Sequence, residues 1–250
     1  MTTRYIAVAI TKGGTGKTTT VCNLGHGLAR RGRRVLLVDC DTQAHVSTYW
    51  NITPKRGHTL AEVLTGTRPA TRCIVSVRPD LDMLASDRAS LAGAKLAMAQ
   101  DPTGQRAYWL RDRLAEIGGY DDILLDTAPS WDVLSMAALL ACDDVLIPIS
   151  TEYLTLASAA DYVKAIDDVK QHNARLRVRW ILPTFLDGRS RRSGDVLAVL
   201  RKTFGALVVD PVRVNTDLST AASYHQSIFE YAPTSRGAED YGALVERVTQ

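Results

Sequence analysis

Lys12-Gly13-Gly14-Thr15-Gly16-Lys17-Thr18-Thr19-Thr20 directly follows an apolar run, Tyr5-Ile6-Ala7-Val8-Ala9-Ile10. The run reads as a buried strand, and the glycines as the turn that ends it. Glycine lets the backbone fold tightly with its N–H groups inward, so converging amides and the positive end of the following helix face one anion. Lys17 adds a full positive charge, and Thr18 offers a hydroxyl to a magnesium ion bridging two phosphates. A plain glycine-rich turn is the competing reading. The strand before it, the Lys-Thr pair and the apolar-periodic helix after it argue against that.

Strand and helix signals alternate through the rest of the chain. A helix is predicted over 18–31, with Val21, Leu24 and Leu28 on its apolar side and Gly32 as its stop. Strands are predicted over 34–39, 81–84, 122–126, 144–149, 178–182 and 207–209. Residues 51–80, rich in Thr, Pro and Arg, read as a loop-rich excursion around a short helix at 60–64. The expected fold is α/β: a doubly wound, mainly parallel sheet flanked by helices, forming one domain over 1–250. With 250 residues, 46% of them hydrophobic, the chain is long enough to bury a sizeable core.

Cys22, Cys40, Cys73 and Cys142 are widely spaced and read as reduced structural thiols. No apolar run is long enough to cross a bilayer, and the strand signal begins almost at once after Met1, so a cytoplasmic protein without a signal peptide is expected. The four tryptophans and five histidines are dispersed, and no histidine pairs with a serine or cysteine in a nucleophile motif.

In an open α/β sheet, ligands meet residues at the carboxyl ends of the strands. Asp126 ends the run Ile123-Leu124-Leu125 and precedes Thr127-Ala128-Pro129; it can hold a magnesium-bound water or merely cap a turn. Asp39 and Asp41 end another strand in Val38-Asp39-Cys40-Asp41-Thr42-Gln43 and share one side of it by alternation. On composition alone they serve equally well as turn carboxylates.

The loop departs from the plain pattern G-x-x-x-x-G-K-[ST], because Thr11 stands where the first glycine belongs. What it carries is K-G-G-x-G-K-[ST], with a second lysine, Lys12. Here the chain resembles the ParA/MinD group of deviant Walker A ATPases, and among them the small Soj-like ParA proteins without a helix-turn-helix domain. The resemblance covers nearly the whole chain, including 151–156, 215–222 and 233–238. It implies that Gly13, Gly14, Thr15, Gly16, Lys17, Thr18 and Thr19 bind ATP, that Lys12 reaches the nucleotide of a second subunit, and that Thr18, Asp39 and Asp126 arrange Mg2+. Asp41 then orients the attacking water, making Lys12, Lys17, Asp41 and Asp126 the implied catalytic set. Thr184, Pro211, Val212 and Arg213 are implied contacts on the base side.

The formal charge is only +3, yet from Lys170 to Lys202 nine basic residues face two acidic ones, Asp187 and Asp195. Arg175, Arg177 and Arg179 alternate on a predicted strand, while Arg189, Arg191 and Arg192 crowd a loop. Such a run is either a solvated face or a surface that neutralises DNA phosphates without reading sequence. The resemblance favours DNA and points to Arg189, Arg191, Arg192, Arg201 and Arg213, with Asp217 standing where many relatives have arginine. It further implies an ATP-dependent homodimer, non-specific binding to DNA in the nucleoid, and hydrolysis stimulated by a ParB-like partner that marks plasmid or chromosomal DNA. Relatives that position protein cargo share these features. MinD-type membrane action is disfavoured, because the closing segment 241–250 is short and carries one basic residue.

Overall fold

The computed structural model describes residues 2–151 and 156–250. The chain runs β1 (Arg4–Val8), α1 (Lys17–Ala29), β2 (Val35–Cys40), α2 (His45–Tyr49), α3 (Leu60–Thr65), β3 (Ile74–Arg78), β4 (Leu81–Leu84), α4 (Arg88–Ala99) and α5 (Trp109–Ala115). It continues with β5 (Asp122–Thr127), α6 (Val133–Ala141), β6 (Asp144–Ser150), α7 (Leu156–Val169), β7 (Arg177–Thr184), α8 (Arg191–Phe204), α9 (Thr216–Ser223), α10 (Ile228–Tyr231) and α11 (Arg236–Thr249).

Among the described residues the strands form one seven-stranded sheet in the order β3-β4-β2-β5-β1-β6-β7. Every pairing is parallel except β3 with β4. β1 lies between β5 and β6, with Val8 opposite Asp126 and opposite Leu146. Its carboxyl end is therefore near the middle of the sheet, where the strand order reverses and a crevice opens.

Helices cover both faces because the central strands are apolar on both sides, as parallel strands are. Ala7, Leu36, Val38, Ile123 and Leu125 pack into the cluster on one face. Ile6, Val8, Val35, Leu37 and Leu124 pack into the other, with α1 and α11. α1 is buried on nearly its whole circumference, from Val21 through Ala29. Glycine lets it come close: a Cβ at Gly25 would lie 2.6 Å from Leu37, and one at Gly27 only 2.4 Å from Val245 of α11.

Two expectations fail here. No strand forms over 207–209: a 3-10 turn covers Gly205–Leu207, and only a single bridge joins Val208 to Ile181 of β7. Asp210 and Pro211 interrupt the ladder, since proline has no N–H with which to extend it, and bonding to the β7 segment resumes only at Val212, whose N–H donates to the Pro183 carbonyl at 2.8 Å. Conversely, β3 arises inside the stretch expected to be loop. It is a half-exposed edge strand, so it lacks the continuous apolar run that marks its buried neighbours. The expected helix at 60–64 is α3, capped by Thr59 and Glu62 in reciprocal hydrogen bonds.

Candidate functional site

Gly14 and Gly16 hold the turn after β1 at φ of 71° and 86°, a left-handed backbone that side chains disfavour. Gly16 sits at the N-cap of α1, where no side chain caps the helix and no acid stands in the first turn. The leading N–H groups of a 13-residue helix are thus left for an outside anion. Two strands pin the loop from behind. The Thr184 hydroxyl at the end of β7 donates to the Thr15 carbonyl at 3.0 Å, and the Thr127 hydroxyl donates to the Val8 carbonyl at 3.0 Å.

Lys17 is 7% exposed, and its ammonium donates to the Lys12 carbonyl at 2.9 Å. Burial lowers its pKa, against the pull of Asp126 and Asp41. The Lys12 side chain lies at the exposed rim of the loop. Asp126 is buried at the end of β5, where its Oδ2 accepts the Thr18 hydroxyl at 2.7 Å while Oδ1 has no protein partner. Burial, and then the charge of Asp39, push its pKa well up, opposed by Thr18 and Lys17. A hydroxyl and a carboxylate with one unclaimed oxygen suit a small hard cation, which keeps several waters and takes few protein ligands. The residues present fit magnesium.

Asp41 is buried beside them, its Oδ1 accepting the Gln43 N–H at 2.9 Å. Asp39 is tied to the neighbouring helix α2. Its Oδ2 accepts both the backbone N–H and the hydroxyl of Ser47, at 3.0 and 2.9 Å, and the Asp41 N–H lies 3.4 Å from Oδ1. Burial raises its pKa to about 6 in spite of those bonds.

A cleft of about 500 Å³ opens beside the loop between Gly16, Thr19, Thr184, Val212 and Arg213, roomy enough for a heterocyclic base. Pro211 is not part of its wall. Leu218 is, from the stretch 215–222 that the resemblance sets beside the base; so are Phe185 and Val214, which sequence reasoning missed, because the segments meet only through β7 and the turn before α9. The backbone shows the join: Leu186 N–H donates to Val212 O at 3.1 Å, and Val212 N–H to Pro183 O at 2.8 Å.

The basic run divides. Arg175 lies before β7 and pairs with Asp143 at 3.1 Å, and Arg177 pairs with Asp144 at 2.8 Å. Both sit at the amino end of the sheet, away from the phosphate loop. The Arg213 guanidinium is held by Asp240 at 2.6 Å and Glu239 at 2.5 Å. Those hydrogen bonds raise its pKa further. Arg189 pairs with Asp187 at 3.2 Å, and Arg201 lies 3.8 Å from Asp210. Arg191 and Arg192 are exposed in the first turn of α8, with no ion pair among the described residues. Asp217 stands in the first turn of α9, where a negative charge suits the helix dipole. Of the 151–156 resemblance, residues 152–155 lie outside the described ones.

Residues 3–178 match the family model AAA_31, an AAA domain. The chain is 36% identical over 252 residues to the chromosome partitioning protein ParA of Caulobacter vibrioides, covering 98% of this chain and 93% of that one. It is 38% identical over 247 residues to the chromosome-partitioning ATPase Soj of Thermus thermophilus, covering 98% and 95%. Among solved structures it resembles cobyrinic acid a,c-diamide synthase from Mycobacterium smegmatis with a bound ATP analogue and magnesium. That match has 31% identity and a TM-score of 0.85, and covers 99% of this chain and 95% of that one. Among the described residues, no helix is long and apolar enough to cross a membrane.

Proposed function

Since this chain belongs to the ParA/MinD family of P-loop ATPases, we propose that it is a DNA-partitioning ATPase, dimerising around ATP, holding DNA without sequence preference in that state, and releasing it on hydrolysis. The observation that carries the reading is the meeting of Lys17, Thr18, Asp41 and Asp126 around one uncapped helix N-terminus, beside a base-sized cleft.

In this reading Lys17 and the α1 amides bind the outer phosphates, and Thr18 with Asp126 would hold Mg2+ or its waters. The ion, when bound, offsets charge on the phosphate oxygens. Asp41 orients water for in-line attack. Lys12, exposed at the rim, extends to the nucleotide of a second copy and offsets the repulsion between two loaded faces. Arg191 and Arg192 of α8 lead the DNA surface, and an ATP-bound dimer presents the set twice, which raises avidity. A ParB-like protein stimulates turnover.

Kinship with a diamide synthase raises ATP-driven amidation as another use of the same site. If glutamine were the ammonia donor, its hydrolysis would call for an accessible nucleophilic thiol. All four cysteines are buried, and burial raises the thiols of Cys22, Cys40 and Cys142 well above their ordinary pKa.

The test is binding to random-sequence duplex DNA with ATP, with ADP and without nucleotide, over a salt series. The expected result is binding that requires ATP and weakens steeply with salt. Binding that ignores the nucleotide, or dimers that form with ATP but leave DNA alone, overturns the reading.

A further inference from the structure

A buried hydrogen-bond cluster lies beneath the strand-end carboxylates. Ser47, on α2, gives both its N–H and its hydroxyl to Asp39 Oδ2. Ser86, just beyond β4, donates its hydroxyl to the Asp39 carbonyl at 2.6 Å, and its N–H donates to the Ser47 oxygen at 3.2 Å. Asp39, Ser47 and Ser86 are 0%, 3% and 2% exposed. The Ser47 hydroxyl is therefore both donor and acceptor in a closed circuit joining β2, α2 and the end of β4.

The circuit fastens both ends of the segment 39–47, which contains Asp41. Within it the chain turns sharply: Ala44 N–H donates to the Asp41 carbonyl at 2.9 Å, and Ala44 itself takes φ of 53°. A non-glycine residue in that conformation is strained and persists where the surroundings over-determine it. Without the Ser47 bonds, Asp39 Oδ2 is left buried and unpartnered, and the turn loses its anchor.

We propose that Ser47 is a positioning residue for ATP hydrolysis, tying Asp39 to α2 so that the backbone carrying Asp41 is held at the distance the attacking water requires. Ser86 backs it by fixing the Asp39 carbonyl from the neighbouring strand. The inference rests on the ATPase reading above and deepens it. Ser47 touches no phosphate in this scheme, so its loss is felt in turnover and not in nucleotide affinity; displacements of about 1 Å at a reacting centre cost as much as 100-fold in rate.

The experiment compares wild type, S47A, S47T and S86A in steady-state ATP turnover, thermal melting, and amide exchange without nucleotide. S47A is expected to lose about tenfold or more in kcat, with KM for ATP within about twofold of wild type. S47T keeps the hydroxyl and is expected to recover most of the loss, while S86A shows a smaller loss of the same kind. Amide exchange should quicken across 39–47 in S47A. An S47A protein with wild-type kcat overturns the inference, as does a KM that rises as far as kcat falls. So does an S47T protein that melts like wild type yet turns over no faster than S47A. Wild type that binds ATP but never hydrolyses it overturns the ATPase reading and this inference together, which separates the two failures.

Discussion

At Asp126 the chain keeps a carboxylate buried with one oxygen unpartnered, a cost that stability alone does not explain. Asp126→Asn removes the charge while leaving an acceptor for the Thr18 hydroxyl. Nucleotide-free D126N is expected to gain about 1 kcal/mol or more in stability, read as a higher Tm, while ATP turnover falls at least about 100-fold. Because the folded-state pKa of Asp126 lies above its ordinary value of 3.8, the folded protein binds the extra proton and wild type loses stability as pH rises above 3.8. The margin of D126N over wild type should therefore be small near pH 4 and widen toward neutral pH in melting curves. Lys12→Ala is a second test: it should leave the fold intact and abolish ATP-dependent dimers in sedimentation, whereas Lys17→Ala should abolish nucleotide binding itself. Lys17 and Asp126 have a local mark in the sequence, a glycine spacing for the one and an apolar run ending in an acid for the other, whereas the roles of Lys12 and Asp41 came only from the resemblance to the family. Ser47 and Ser86 have no such mark. Their role depends on a hydrogen bond across 39 residues of chain, and no spacing encodes it.

Among the elements, α1 decides how closely the helical layer approaches the sheet. A Cβ at Gly27 would lie 2.4 Å from Val245 Cγ2 and 2.9 Å from Phe229 Cε2, so Gly27→Ala should destabilise by about 1–3 kcal/mol. Gly93 in the middle of α4 meets nothing within 4 Å, and Gly93→Ala there should stabilise by roughly 0.5–1 kcal/mol. Thermal melting of the pair checks the contrast. Central strands such as β2 and β5 were readable because burial on both faces demands an unbroken apolar run. β3 was not, since an edge strand exposes part of each face. The same physics misread 207–209, whose apolar residues face neighbours from a turn and touch β7 at one bridge only. The cleft beside the phosphate loop was half legible: Thr184, Val212 and Arg213, named in the sequence as base-side candidates, line it, while Phe185 and Val214 enter it through a strand end and a turn.

Over the whole molecule, charge placement is what sequence counting distorted. Of the nine cations within 170–202, Arg175 and Arg177 pair with Asp143 and Asp144 at the amino end of the sheet, apart from the DNA candidates Arg189, Arg191, Arg192 and Arg201 in sequence. Replacing Arg191 and Arg192 with alanine is expected to lower the salt slope of DNA binding by about 0.9 for each phosphate no longer neutralised, leaving basal ATP turnover unchanged. Replacing Arg175 and Arg177 should leave that slope alone. The strand order also bears on how the protein is made. β1 is translated well before its two hydrogen-bonding neighbours, which begin at Asp122 and Asp144. At synthesis rates of roughly 5–20 residues per second, the nascent strand waits several seconds, at the least, with both edges open. Throughout that interval the phosphate loop follows a strand with neither neighbour in place, and the crevice that faces it closes only when β5 and β6 have joined the sheet.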